Sequence, residues 1–365
     1  MKLQVNRAYN FNAGPSALPL SVLEKAQEEL LDFRRTGMSV MELSHRSKAY
    51  EEVHNHAIDS LRELLSIPDD YKVLFLQGGA SLQFSMIPMN FLQAEKKAAY
   101  VMTGSWSEKA FSEAKLLGEV YYAASTKDGN YRSIPKLKEL QYHTDDAYLH
   151  ITSNNTIYGT QWKEFPNTGG VPLIADMSSD ILSKPIDVNN FALIYAGAQK
   201  NLGPSGVTVV IIRKDFLEQA NTQIPTMLKY STHAKNNSLY NTPPTFGIYM
   251  LSEVLNWAKE LGGLDVIADL NEKKAKLIYD VIDTSNGFYL GHAEQDYRSL
   301  MNITFNLKTP ELEKSFLEKA KQEGFIGVNG HRSIGGCRVS AYNAVPIKGC
   351  QAFREFMIQF QKENY

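Results

Sequence analysis

The chain has 365 residues, 43% of them hydrophobic, and a formal net charge of −2 from 38 basic and 40 acidic side chains. That length and apolar content can bury a large core and suit two domains. The nearly balanced charge excludes a chain-wide basic field for nucleic acid or an anionic membrane, so any anion must be held by a local cluster.

The opening MKLQVNRAYNFNAGPSALP lacks the apolar run of a signal peptide, and no later stretch approaches the roughly 20 apolar residues of a membrane span. Only two cysteines occur, Cys337 and Cys350. They are too few for a disulfide framework and lack metal-ligand spacing, which favours a reducing compartment. The expectation is a soluble cytoplasmic protein.

Strands are predicted at YKVLFL (71–76), AAYVM (98–102), DAYLHIT (146–152), VPLIADM (171–177), FALIYAG (191–197) and VTVVIIR (207–213), with helical patterns between them. Such alternation implies an α/β fold with a mostly parallel sheet. Ligands bind at the strand ends of such sheets, and QGGAS, TGSW, SNNT, DMSS and AQK each follow one of these runs. From about Thr245 longer helices follow, FGIYMLSEVLNWAKEL and then DLNEKKAKLIYDVID, with Gly262-Gly263 as a break and a domain boundary near Gly262. MNITFNL and CRVSAYN read as strands of a smaller unit, with LEKSFLEKAKQEG as the amphipathic helix between them.

The chemistry centres on Lys200 in AGAQKNLGPSG, with Asp176 upstream in IADMSSD. A lysine amine condenses with an aldehyde, and pyridoxal phosphate enzymes need such a lysine together with a carboxylate facing the pyridine nitrogen. Asp176 ends an apolar strand, where a carboxylate is costly unless paired; Ser178 or Ser179 could cap the following turn and leave it free. LQGGAS suits phosphate at a helix start, although Gly-Gly after a strand is also an ordinary turn. Trp106 offers an aromatic face to a planar ring or to the core, and the Thr156 hydroxyl serves a ring oxygen or a turn equally well. Substrate recognition calls for two anion sites, which arginine's planar fork suits. Arg338 and the dipeptides His45-Arg46 and His331-Arg332 are the candidates, each otherwise a surface group.

The motifs NAGPSALP, SHRSKAYEEVH, LQGGAS, SNNTIYGTQW, ADMSSDILS, AGAQKNLGP, NTPPTFGIYM and HRSIGGCRVSAYNA together resemble the phosphoserine aminotransferases, nearly end to end. These are fold-type-I pyridoxal-phosphate enzymes of the class V aminotransferase group. The resemblance implies a homodimer, with a large cofactor domain over 16–262 and a small domain made of 1–15 plus 263–365. It implies Lys200 as the Schiff-base lysine, Asp176 on the pyridine nitrogen, Trp106 stacked on the ring and Thr156 at the ring hydroxyl. Ala80, Ser81 and Gln199 would form the phosphate cup, completed by Asn241 and Thr242 from the partner subunit. Arg338 would bind a carboxylate, and His331-Arg332 with the neighbour's His45-Arg46 would clasp the substrate phosphate. Some members have an arginine where this chain has Ser81, so the phosphate grip would rest more on Arg46, His331 and Arg332. The implied reaction is amino transfer between glutamate and 3-phosphohydroxypyruvate, with phosphohydroxythreonine, on the route to pyridoxine, as a related substrate.

Three other readings compete. A desulfurase would need a mobile nucleophilic Cys337, and a transaminase of small unphosphorylated acids would make the His-Arg pairs superfluous. A non-enzymatic phosphate-ligand sensor would not need Lys200 and Asp176 together.

Overall fold

The structure is a computed structural model that describes residues 7–365; residues 1–6 of the expected small domain, and the start of the N-terminal stretch, lie outside the described residues. Seven strands form the central sheet: β1 (Tyr71–Leu76), β2 (Lys97–Met102), β3 (Glu119–Ser125), β4 (Tyr148–Thr152), β5 (Leu173–Asp176), β6 (Leu193–Gly197) and β7 (Thr208–Arg213). Their spatial order is β1-β7-β6-β5-β4-β2-β3. Neighbouring strands run parallel except around β7, which is antiparallel to both β6 and β1. The mostly parallel expectation holds, and all six predicted runs are strands.

Both faces of the sheet are covered, which is why β4, β5 and β6 are buried at every position. Alternate side chains serve opposite cores. Val73, Phe75, Leu149, Ile151, Leu173 and Ile194 pack on one side, while Leu74, Leu76, Tyr100, Tyr148, Ile174 and Tyr195 pack on the other. The strand β3, absent from the sequence expectations, is the sheet edge and is half exposed, so its apolar pattern is broken.

A second core gathers Phe305, Phe316, Phe325, Phe353 and Phe360 around a three-stranded antiparallel sheet, β8 (Tyr289–Gly291), β9 (Asn302–Leu307) and β10 (Cys337–Ser340). The N-terminal segment joins this unit: Tyr9–Asn10 pairs with Phe325–Ile326, and Phe11 lies in the same core. The helix Gly263–Thr284 is shared, because Leu264 and Ile267 belong to the large core whereas Ala275, Ile278 and Ile282 belong to the small one. Gly262, at φ 111°, sets the helix start. Among the described residues no helix is long and apolar enough to cross a membrane.

Candidate active site

Apart from β7, the sheet strands point their C-terminal ends at one edge, and the turns leaving five of them meet in a cavity of about 280 Å³. Ala80 and Ser81 follow β1, Trp106 follows β2, Thr156 follows β4, Asp176 ends β5, and Gln199 and Lys200 follow β6; all of them line it. Arg338, on β10, and His331, in the loop before it, reach the cavity from the small unit.

After β1 the chain must turn abruptly into the helix Gly79–Phe91. Gly78 and Gly79 do this at φ 87° and 66°, and a Cβ on Gly78 would stand 2.5 Å from Leu82 Cδ2. Only glycine adopts that conformation cheaply, and the result is a helix N-terminus whose free amides face the cavity beside Ser81. At the end of β6, Ser16 clamps the functional turn from outside: its N–H donates to Gln199 O (2.9 Å) and its Oγ donates to Lys200 O (2.6 Å).

Lys200 Nζ donates to Thr156 Oγ1 at 2.8 Å. Burial pushes the amine down to about 8; Asp176 and Asp180 oppose this, and Arg338 adds to it. The free amine therefore becomes abundant close to neutral pH. We expect the rate at which cofactor-free protein couples to pyridoxal phosphate, followed by visible absorbance, to climb as pH rises through about 8 and then level off. A rate flat from about pH 6 to 9 would contradict a perturbed amine.

Asp176 is 5% exposed, and burial raises its carboxyl above the usual range, opposed by Ser178, Lys200 and Tyr195. One oxygen accepts the Ser178 N–H at 2.9 Å. The turn thus engages one carboxylate oxygen, where the sequence reading leaves capping to Ser178 or Ser179, and Asp176 also lines the cavity. Arg338 donates to Thr156 O at 3.3 Å, while its Nε, like Trp106 Nε1, is buried without a partner. Ser333 N–H donates to His331 Nδ1 at 3.2 Å, which leaves Nε2 to carry the proton of a neutral ring. Burial, then Arg338, Arg332 and Lys109, lower the His331 pKa, favouring that neutral donor.

Five other expected site residues do not line this cavity within one chain. Arg46, Asn241 and Thr242 are exposed and His45 is half-buried. Thr242 O accepts from Gln77 Nε2 at 3.3 Å, and Asn241 lines a separate pocket with Gln77 and Pro243. Arg332 is exposed beside His331.

The sequence reading missed a polar seam beneath the cavity. Ser153 Oγ donates to Asp180 Oδ1, Gln161 Nε2 to Asp180 Oδ2 (3.1 Å), and Asn154 Nδ2 to Asn302 Oδ1 (2.8 Å), while Asn302 Nδ2 in turn reaches Tyr342 OH (3.1 Å). Asp180 is 8% exposed and raised by burial to about 6. Its signal was a second carboxylate, in MSSDIL, directly before the apolar pair Ile181-Leu182.

These groups fit pyridoxal phosphate: an amine for the aldehyde, a buried carboxylate for the ring nitrogen, an indole for the ring and helix amides for the phosphate. A fold of this topology with that donor set defines a pyridoxal-phosphate-dependent transferase. The family model for class-V aminotransferases matches residues 8–353. The phosphoserine aminotransferase of Lysinibacillus sphaericus (strain C3-41) is 68% identical over 98% of this chain and 99% of its own. A solved phosphoserine aminotransferase from Bacillus circulans subsp. alkalophilus is 60% identical with a TM-score of 0.97, covering 98% of this chain and 99% of its own. A pyridoxal-phosphate-bound one from Trichomonas vaginalis is 41% identical with a TM-score of 0.92, covering 96% and 100%. The chain belongs to the class-V aminotransferase family and, within it, to the phosphoserine aminotransferases.

Proposed function

We propose that this chain catalyses reversible amino transfer between glutamate and 3-phosphohydroxypyruvate, giving O-phospho-L-serine and 2-oxoglutarate in serine biosynthesis, with pyridoxal phosphate as cofactor. The observation that carries the reading is that Lys200 shares one cavity with Asp176, Trp106 and two anion-binding groups, Arg338 and His331.

When bound, pyridoxal phosphate supplies a carbonyl that captures amines and a protonated ring that draws electron density from the substrate α-carbon. Asp176 would keep that ring nitrogen protonated, and Trp106 would hold the ring by its aromatic face. Ala80, Ser81, Gln199 and the amides at the start of helix Gly79–Phe91 take the phosphate. Thr156, which accepts from Lys200 Nζ at 2.8 Å, would also hold the ring hydroxyl of the bound cofactor. The freed Nζ removes the substrate α-proton and returns a proton later in the same half-reaction, so one amine serves as base and acid. Arg338 clamps the α-carboxylate in a planar fork. The His331 Nε2–H and Arg332 receive the phosphate of phosphoserine in one half-reaction and the side-chain carboxylate of glutamate in the other. Two substrates using one site in turn give ping-pong kinetics.

The same reading gives His45, Arg46, Asn241 and Thr242 to the neighbouring active site of a homodimer. Their exposure and their distance from their own chain's cavity support this. Two buried free thiols suit a cytoplasmic setting. A desulfurase reading is disfavoured, because Cys337 is wholly buried and burial pushes its thiol well up, away from a nucleophilic thiolate.

The test is the visible spectrum of cofactor-loaded protein titrated separately with O-phosphoserine, serine and phosphohydroxythreonine. Conversion of the band by phosphoserine and not by serine supports both the amino transfer and the phosphate clamp. Equal conversion by serine removes the phosphate specificity, and no conversion removes the activity. The phosphohydroxythreonine arm reports whether the clamp tolerates one further hydroxymethylene unit between the α-carbon and the phosphate.

A further inference from the structure

Behind Asp176 the sheet carries polar aromatic side chains that the proposed chemistry leaves unused. Asp176 and Tyr195 are register partners on the adjacent parallel strands β5 and β6, so both side chains leave the same face. Among the groups acting on Asp176, Tyr195 lowers its carboxyl pKa and so favours the negative charge. The same hydroxyl lies 2.9 Å from His150 Nε2. His150, on β4, is 1% exposed and is stacked on Tyr100 with ring centroids 4.9 Å apart and planes 25° apart. Its Nδ1 has no hydrogen-bond partner.

Burial holds the imidazole down at about 3, so the ring is neutral and carries a single N–H. A buried N–H without an acceptor is costlier than a lone pair without a donor, which places the proton on Nε2. The direction of the remaining bonds then follows. His150 donates to the Tyr195 oxygen, and Tyr195 has its own proton free for Asp176. The other groups acting on Asp176 are Lys200 and Ser178 from the cavity side, and the negative charge of Asp180.

We propose that His150 and Tyr195 form a one-way hydrogen-bond relay that aims a donor at the back of Asp176 and so strengthens its grip on the cofactor's ring nitrogen. Both are positioning residues acting through Asp176. The inference rests on the assignment of Asp176 to the ring nitrogen made above.

The experiment compares the affinity of cofactor-free protein for pyridoxal phosphate and for an analogue with the ring nitrogen replaced by carbon, read by quenching of tryptophan fluorescence. Tyr195→Phe and His150→Leu are expected to weaken pyridoxal phosphate about tenfold and to leave the analogue within roughly twofold, as suits loss of a hydrogen bond to a charged group. His150→Gln, which restores an N–H donor, should recover most of the loss. Asp176→Asn should weaken the natural cofactor selectively in the same way. If Tyr195→Phe weakens both ligands equally, or neither, while Asp176→Asn still discriminates, the relay is overturned and the ring-nitrogen assignment stands. If Asp176→Asn does not discriminate, that assignment falls and the relay falls with it.

Discussion

Replacing Lys200 by alanine is expected to lower turnover by roughly four orders of magnitude or more, since under the proposed roles the substitution removes both the covalent anchor and the group that moves the proton. Thermal unfolding shows whether this is chemistry or misfolding. Among the described residues the one hydrogen bond that Nζ donates is to Thr156. The unfolded chain holds a lysine proton up to about 10.5, whereas the folded site releases it near 8. The unfolded state therefore binds more protons between those values, so stability contributed at this position rises with pH through that window and is least below about 8. At neutral pH the native lysine burdens the fold. Lys200→Ala should unfold at the same temperature as the parent or higher, with its activity gone. A variant that is both inactive and several degrees less stable would trace the loss to misfolding instead.

Strands were legible because both faces of the central sheet are covered, so β4, β5 and β6 read as continuous apolar runs. The same rule hid β3, whose edge position leaves Glu119 and Tyr122 exposed and interrupts the pattern. The reversal of β7 was not legible either: the short connection from β6 brings the chain straight back alongside it, and no composition signal records direction. Within the site, residues that directly follow strands could be placed by counting from the strand ends, which is why Ser81, Trp106, Thr156, Asp176 and Lys200 fall around one cavity. His45, Arg46, Asn241 and Thr242 could not be placed this way, because their proposed site belongs to a second copy of the chain. His150 and Tyr195 were quoted only as members of apolar runs. A histidine and a tyrosine inside such runs are polar groups that must find partners, and that requirement was the available signal.

Asp176→Ala is expected to reduce turnover by roughly two to four orders of magnitude, with much smaller changes in the apparent affinity for either substrate. The estimate follows from breaking a buried charge pair, which costs about 3–5 kcal/mol, at about 1.4 kcal/mol per decade. In the proposed assignment substrates are held by Arg338, His331 and Arg332, whose hydrogen bonds among the described residues do not involve Asp176, so the loss should fall on kcat. In the variant the Asp176 carboxylate no longer favours a protonated ring nitrogen, and Lys200 loses the stronger of the two carboxylates that raise its pKa, so its amine should titrate lower than in the parent. Steady-state kinetics for phosphoserine and glutamate, measured beside the pH dependence of cofactor coupling, test both consequences at once. Unchanged turnover would remove Asp176 from the chemistry, whereas a loss confined to KM would make it a substrate-binding group instead.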